Sequence, residues 1–131
     1  MISHVTIGTG DLERALAFYD GVLGALGLER TFLDPDRNWA CWSDPASDRP
    51  LFVVGSPEND EPYGVGNGQM TAFLAPSRAA VDRAHALALK AGGSDAGAPG
   101  LRPHYHPNYY GAYFRDPDGN KICVVRHQPE D

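Results

Sequence analysis

Residues 109–125, YYGAYFRDPDGNKICVV, decide the fold. Asp116, Pro117 and Gly119 stand at the first, second and fourth positions of a turn, the preferences of a type I turn whose last residue relaxes into a left-handed bulge. Before it come Tyr109, Tyr110, Tyr113 and Phe114, and after it Ile122, Val124 and Val125, residues that suit a pleated, half-buried surface. The stretch therefore predicts a β-hairpin. Alternation puts Tyr109, Gly111, Tyr113 and Arg115 on one face and Tyr110, Ala112 and Phe114 on the other; beyond the turn it separates Cys123 and Val125 from Ile122 and Val124. One face should meet helices and the other should line something else.

The same grammar runs through the chain. ISHVTIG (2–8) alternates, with Ile2, His4 and Thr6 opposite Val5 and Ile7. Asp11 then caps an apolar rhythm of Leu12, Ala15, Leu16, Tyr19, Val22, Leu23 and Leu26 at helical spacing, which Gly27 closes. LERTFLD (28–34), NWACWSD (38–44) and RPLFVVG (49–55) read as strands separated by turn material. Residues 56–67, SPENDEPYGVGN, are polar, rich in Pro and Gly and without period, so they read as a connection.

After it the order starts again. A strand over 69–75 leads to Ser77, a second cap, and to a helix carrying Ala80, Val81, Ala84, Leu87, Ala88 and Ala91 that ends at Gly92-Gly93. A short strand over 94–98, a loop over 98–108 and the hairpin complete the set. Sliding the sequence on itself by 66 positions places Met70 on His4, Ser77 on Asp11 and Gly93 on Gly27. Near the end, Phe52-Val53-Val54 matches Cys123-Val124-Val125 at an offset of 71. The prediction is an α+β fold of two βαβββ repeats, 1–55 and 68–127, joined by 56–67 within one domain over 1–131. The repeats pair into a curved mixed sheet around a pocket.

Composition narrows the functional classes. The formal charge of −6, with no Lys/Arg run, argues against nucleic acid and against anionic membranes, because a phosphate-binding face needs clustered positive charge. No apolar run reaches the length that spans a bilayer. Cys41 and Cys123 are too few for a disulfide framework, and MISHVTIGTG has no basic and apolar regions of a signal peptide, so the expected compartment is the cytoplasm with free thiols. Gly64-x-Gly66-x-Gly68 opens no helix, which removes the dinucleotide-site reading.

Three stretches together, HVTIGTGDLERALAFYDGVLGALGL, MTAFLAPSRAAVDRAHALALKAGG and YYGAYFRDPDGNKICVV, resemble the vicinal oxygen chelate superfamily, which includes glyoxalase I, extradiol dioxygenases, fosfomycin-modifying enzymes and bleomycin-resistance proteins. The resemblance covers essentially the whole chain. It implies a pocket whose metal ligands, where a metal is used, come from the first and last strand of each unit: His on the first strands and Glu on a last one. The matching positions are His4, Met70, Phe52 and Cys123. Only His4 is a usual ligand, and Cys123 stands where the family's Glu follows the Asn-x-Ile motif. A catalytic divalent site needs about three protein ligands plus open positions, so no metal or other cofactor is expected, with a divalent metal as the alternative.

The expected ligand-binding set is His4, Trp42, Met70, His106, Tyr109, Tyr113 and Cys123. Trp39 and Trp42 fall on opposite faces, one for a helix and one for the pocket. His104 and His106 share parity if extended, but Pro103 and Pro107 favour a loop at the pocket mouth; His85 and His127 read as surface residues. Tyr113 occupies a place from which some relatives aim a hydroxyl at a bound anion, while Arg115, beside the turn, reads as a solvated ion pair. The leading expectation is a small organic molecule sequestered in an aromatic pocket. The alternative is a lyase, isomerase or dioxygenase of the lactoylglutathione-lyase kind, in which His4, with Tyr113 or His106, moves a proton beside a carbonyl. The resemblance also implies a homodimer.

Overall fold

Two polar side chains begin the two helices, as the caps require. In the computed structural model, which describes residues 1–130, Asp11 accepts from the Arg14 backbone N–H at 3.1 Å and Ser77 from that of Ala80 at 3.0 Å. The first unit is β1 (His4–Gly8), α1 (Leu12–Gly24), β2 (Glu29–Asp34), β3 (Trp39–Ser43) and β4 (Leu51–Gly55). The second is β5 (Thr71–Leu74), α2 (Arg78–Lys90), β6 (Ser94–Leu101), β7 (Tyr110–Arg115) and β8 (Lys121–Arg126). The α+β class and the two βαβββ units are as read from the sequence.

Both units share one strand order, β1-β4-β3-β2 and β5-β8-β7-β6. β1 runs parallel to β4 and β5 parallel to β8, and the other pairs are antiparallel. Register settles the faces, since paired residues point the same way. Val5 pairs with Phe52 and Ile7 with Val54, and these residues face the helices; His4, Thr6, Leu51 and Val53 take the other side. In the second unit Ala112, Phe114, Ile122 and Val124 face the helices, leaving Tyr113, Cys123, Arg115 and Lys121 on the helix-free side. The hairpin's predicted division of faces holds residue by residue.

The repeat alignment needs correcting at two points. Thr6 pairs with Val53, and Ala72, its equivalent 66 positions on, pairs with Cys123. The counterpart of Cys123 is therefore Val53 at an offset of 70, not Phe52. Phe52 lies in the core, its ring 5.2 Å from Tyr19 and 4.9 Å from Phe73. The left-handed glycines that end the helices are Gly27 (φ 85°) and Gly92 (φ 101°), so Gly92 rather than Gly93 answers to Gly27 and the gap enters just past the helix.

β6 also extends beyond the predicted 94–98, through Pro99. It is an edge strand paired only with β7, so a residue without an N–H is tolerated there. His85 is no surface residue: it is 7% exposed and bonds Asp95 at 2.9 Å, tying α2 to β6. The backbone N–H of Gly97, followed by His85, holds the Asp95 carboxyl below its ordinary value.

One core joins the units. Both helices and the inner faces of both sheets contribute to it, with Phe18, Tyr19, Val22 and Leu23 of α1 fully buried beside Phe114, Ile122 and Val124. The β7–β8 turn adds a polar clasp. Gly119 N–H closes it on Asp116 O at 2.9 Å with Gly119 at φ 96°, the left-handed geometry that the sequence demanded. Asp116, 4% exposed, accepts from the Tyr19 hydroxyl at 2.6 Å and from the backbone N–H groups of Asp118 and Asn120. Asp118 takes Thr9 Oγ1, Gly10 N and Arg14 Nη2, and Asn120 donates to Gly8 O while accepting from Tyr63. One turn of the second unit thus fixes β1, α1 and the connecting segment of the first.

Candidate functional site

The helix-free face of the second sheet carries the densest chemistry. Tyr109 enters β7 from the preceding loop, and its hydroxyl lies 2.8 Å from that of Tyr113 and 3.6 Å from Cys123 Sγ. The Arg102 guanidinium sits 5.5 Å above the Tyr113 ring and the Lys121 ammonium 5.6 Å from it, within cation–π range. Arg102 is held there by the carbonyls of Gly100 and Ala98, at 2.8 and 2.7 Å.

Burial is the main reason that Tyr109, Tyr113 and Cys123 all titrate above their ordinary values. At neutral pH the two phenols are therefore hydrogen-bond donors rather than bases. Cys123 is a fully buried, protonated thiol, a poor nucleophile and a poor metal ligand.

The loop before β7 is aromatic throughout. Tyr105 stacks on Tyr109 at 4.8 Å, and His106 and His127 both pack edge-on against Tyr109, at 5.7 and 5.3 Å. His106 pairs with His127, not with His104: Nε2 of the first lies 2.9 Å from Nδ1 of the second. The Asn108 backbone N–H donates to His106 Nδ1 at 3.2 Å, so that nitrogen is bare and Nε2 carries the hydrogen toward His127. His127, read as a tail residue, thereby anchors the end of β8 to this loop.

The other expected site residues are scattered. His4 stands exposed on the helix-free side of the first sheet, with Ser3 Oγ at 2.9 Å from its Nδ1. Met70, 45% exposed, precedes β5 on the parity of Ala72, which pairs with Cys123. Trp42 is a correction. It pairs with Phe52 on the helix side, is 1% exposed, and donates from Nε1 to Asp20 at 3.0 Å; the helix-free tryptophan is Trp39, stacked on Phe32 at 4.7 Å. Parity had separated the two tryptophans without saying which was which.

Three cavities flank these elements. An apolar crevice of about 570 Å³ runs between the sheets past Val5, Phe52, Phe73 and Leu74, and Trp42 borders it. A cavity of about 410 Å³ lies at the seam of Thr6, Met70 and Lys121 under the connecting segment, and one of about 500 Å³ continues it to Arg115. Neither His4 nor Cys123, both expected in the ligand-binding set, lines any of the three.

The family's chelating positions do not fit a metal. Corrected for register they are His4, Val53, Met70 and Cys123: one imidazole, one apolar side chain, one thioether and one buried neutral thiol. Among the described residues no group of three or more His, Cys, Asp or Glu side chains could hold an ion. Sequence reading missed Lys121, whose signal was its parity with Cys123 and Tyr113, and Arg102, which stands past the end of β6 where alternation gives no signal. It also missed the clasp role of Asp116, Asp118 and Asn120, where a turn motif absorbed the residues before any long-range partner could be seen.

A family model described as the Glyoxalase/Bleomycin resistance protein/Dioxygenase superfamily matches residues 1–124. A crystal structure of a glyoxalase/bleomycin resistance protein from Albidiferax ferrireducens T118 superimposes with a TM-score of 0.86 at 37% identity, covering 96% of this chain and 98% of that one. A lactoylglutathione lyase from Agrobacterium tumefaciens shares the fold at a TM-score of 0.65 and 24% identity, covering 96% and 92% of the two chains. No curated protein matches in sequence.

Proposed function

Because the chain belongs to the Glyoxalase/Bleomycin resistance protein/Dioxygenase superfamily, we propose that it binds a small organic molecule on the helix-free face of the second sheet, with no metal between protein and ligand. The observation that carries the reading is the exchange of side chains on that face. Where the family's metal-using members place ligands, this chain has Met70 and Cys123 on that sheet and Val53 on the first; beside Cys123 stand Tyr109, Tyr113 and Lys121, which offer aromatic surface, neutral hydroxyl donors and a charge. Arg102 stiffens the Tyr113 ring from the flank.

The enzymatic alternative asks His4 and Tyr113 to share a proton path. They belong to different sheets and hydrogen-bond elsewhere, His4 to Ser3 and Tyr113 to Tyr109, whereas Met70 and Lys121 of the binding face border two of the cavities. The test is a titration with benzyl alcohol, benzoate and phenyl phosphate, followed by backbone amide shifts. At least one should move the amides of Tyr113, Lys121 and Met70, and EDTA should change neither those shifts nor the melting temperature, since a metal bound only to the native state would add to stability in proportion to RT ln(1 + [L]/Kd). Loss of binding in EDTA with recovery in zinc would overturn the reading and put a metalloenzyme in its place.

The same proposal includes a homodimer. β1 and β5 each leave one edge unpaired, and apolar side chains gather beside them: Ile2 is 56% exposed, Met70 45% and Leu74 72%. Light scattering should give twice the 14.1 kDa chain mass, and Leu74→Glu should shift the wild-type dimer toward monomer. A wild type that is monomeric at all micromolar concentrations ends this part of the proposal.

A further inference from the structure

We infer that the ligand of this face carries an anionic head group, a carboxylate or a phosphate, seated between Arg115 and Lys121 beneath the turn at residues 66–69. The inference rests on the small-molecule reading above and names its chemical class. Arg115 and Lys121 are directly opposite in the β7–β8 register and both point to the helix-free side. Like charges directly opposite across a strand pair are destabilising, and among the described residues neither cation has a carboxylate within ion-pair distance. In a chain with a formal charge of −6 this is a local surplus of positive charge that no carboxylate among the described residues neutralises. An anion placed between the two would convert the repulsion into two attractions.

The space matches that reading. The cavity of about 500 Å³ is bordered by Gly66, Asn67, Gly68, Gln69, Arg115 and Lys121, and no acidic side chain lines it. Arg115 is fixed by donation from Nη1 to Gly119 O at 2.9 Å, which aims the guanidinium without neutralising it. On the opposite wall the chain turns tightly, with Gln69 N–H bonded to Gly66 O at 3.2 Å and Gly68 at φ 91°. A bare inorganic ion would leave most of this volume unfilled. Lys121 and Met70 also line the neighbouring 410 Å³ space, so an organic body has room to continue along the β1–β5 seam.

Amide-shift titration with benzoate, phenyl phosphate and benzyl alcohol tests this, on the wild type and on Lys121→Met and Arg115→Gln. The two anions should bind with shifts at Gly66, Gly68 and Lys121, more weakly as salt is raised. Each substitution should weaken anion binding about tenfold or more, the usual cost of a lost charged hydrogen bond, and should weaken benzyl alcohol far less. The stronger of the two anions identifies the head group. If benzyl alcohol binds the face as tightly as the anions, or if Lys121→Met leaves anion affinity unchanged, this inference is overturned while the small-molecule reading stands. If none of the three probes moves the face, both fall.

Discussion

Replacing Asp116 with alanine should lower the stability of this protein by about 3–5 kcal/mol, the range found when one partner is removed from a buried charged network. The carboxylate is 4% exposed and receives the Tyr19 hydroxyl, the Asn120 side-chain amide and two backbone N–H groups. Its loss leaves the buried Tyr19 hydroxyl and the Asn120 backbone N–H without their acceptor, and takes one partner from the Asn120 side-chain amide and from the Asp118 N–H. The Tyr19 hydroxyl, whose pKa burial and the adjacent Asp116 raise well above the ordinary phenol value, cannot adapt by ionising. About 1 kcal/mol moves the melting temperature of a domain this size by roughly 3–6 °C, so a fall of about 10–25 °C is expected. The control is Asp34→Ala. Asp34 also accepts two backbone N–H groups, from Asp36 and Arg37, but in an exposed turn where water replaces it, and the cost should stay near 1 kcal/mol. Equal losses in the two variants would show that the clasp is only a local turn.

That contrast marks where the sequence was legible. Local chemistry was readable because it acts over a few residues: Asp11 and Ser77 as caps, the 116–119 turn, and the strand alternation that sorted Tyr113 and Cys123 from Phe114 and Ile122. The repeat was readable because each helix is 13 residues long and the offset between them is constant. Asp34, Asp44 and Asp116 all stand beside turns and accept from backbone N–H groups within a few residues, yet Asp116 also meets Tyr19, 97 positions away, and no local pattern encodes that. The site suffered from the same limit in another form. A one-residue error in placing β4 moves every side chain of the strand to the opposite face, and an offset of 71 instead of 70 was enough to nominate Phe52 in place of Val53. For Trp39 and Trp42, parity gave a correct partition with no sign. The sign comes from β4, where Phe52 and Val54 had to be buried for α1 to have anything to pack on.

The second large effect is expected from Phe18→Ala, and it also asks whether the two βαβββ units unfold as one. Phe18 belongs to α1 of the first unit, is fully buried, and sits with its ring 4.8 Å from that of Tyr19 and 6.0 Å from that of Phe114 in β7 of the second. A Cβ added at Gly93 would come within 3.0 Å of the same ring, so the second unit closes around it with no slack. Truncation removes the apolar surface and leaves a cavity between units that cannot collapse, at a cost of about 3–5 kcal/mol. Two probes separate the units. Trp39 and Trp42 both lie in the first, so tryptophan fluorescence follows that half, while hydrogen exchange at β7 and β8 amides follows the other. With a shared core, both should report one transition, shifted down by about 10–25 °C in the variant. A variant in which fluorescence melts early while β7 and β8 keep wild-type protection would mean that each unit is stable alone. The helix-free face of the second sheet would then owe its geometry to its own hairpin and not to the helix packed beneath it.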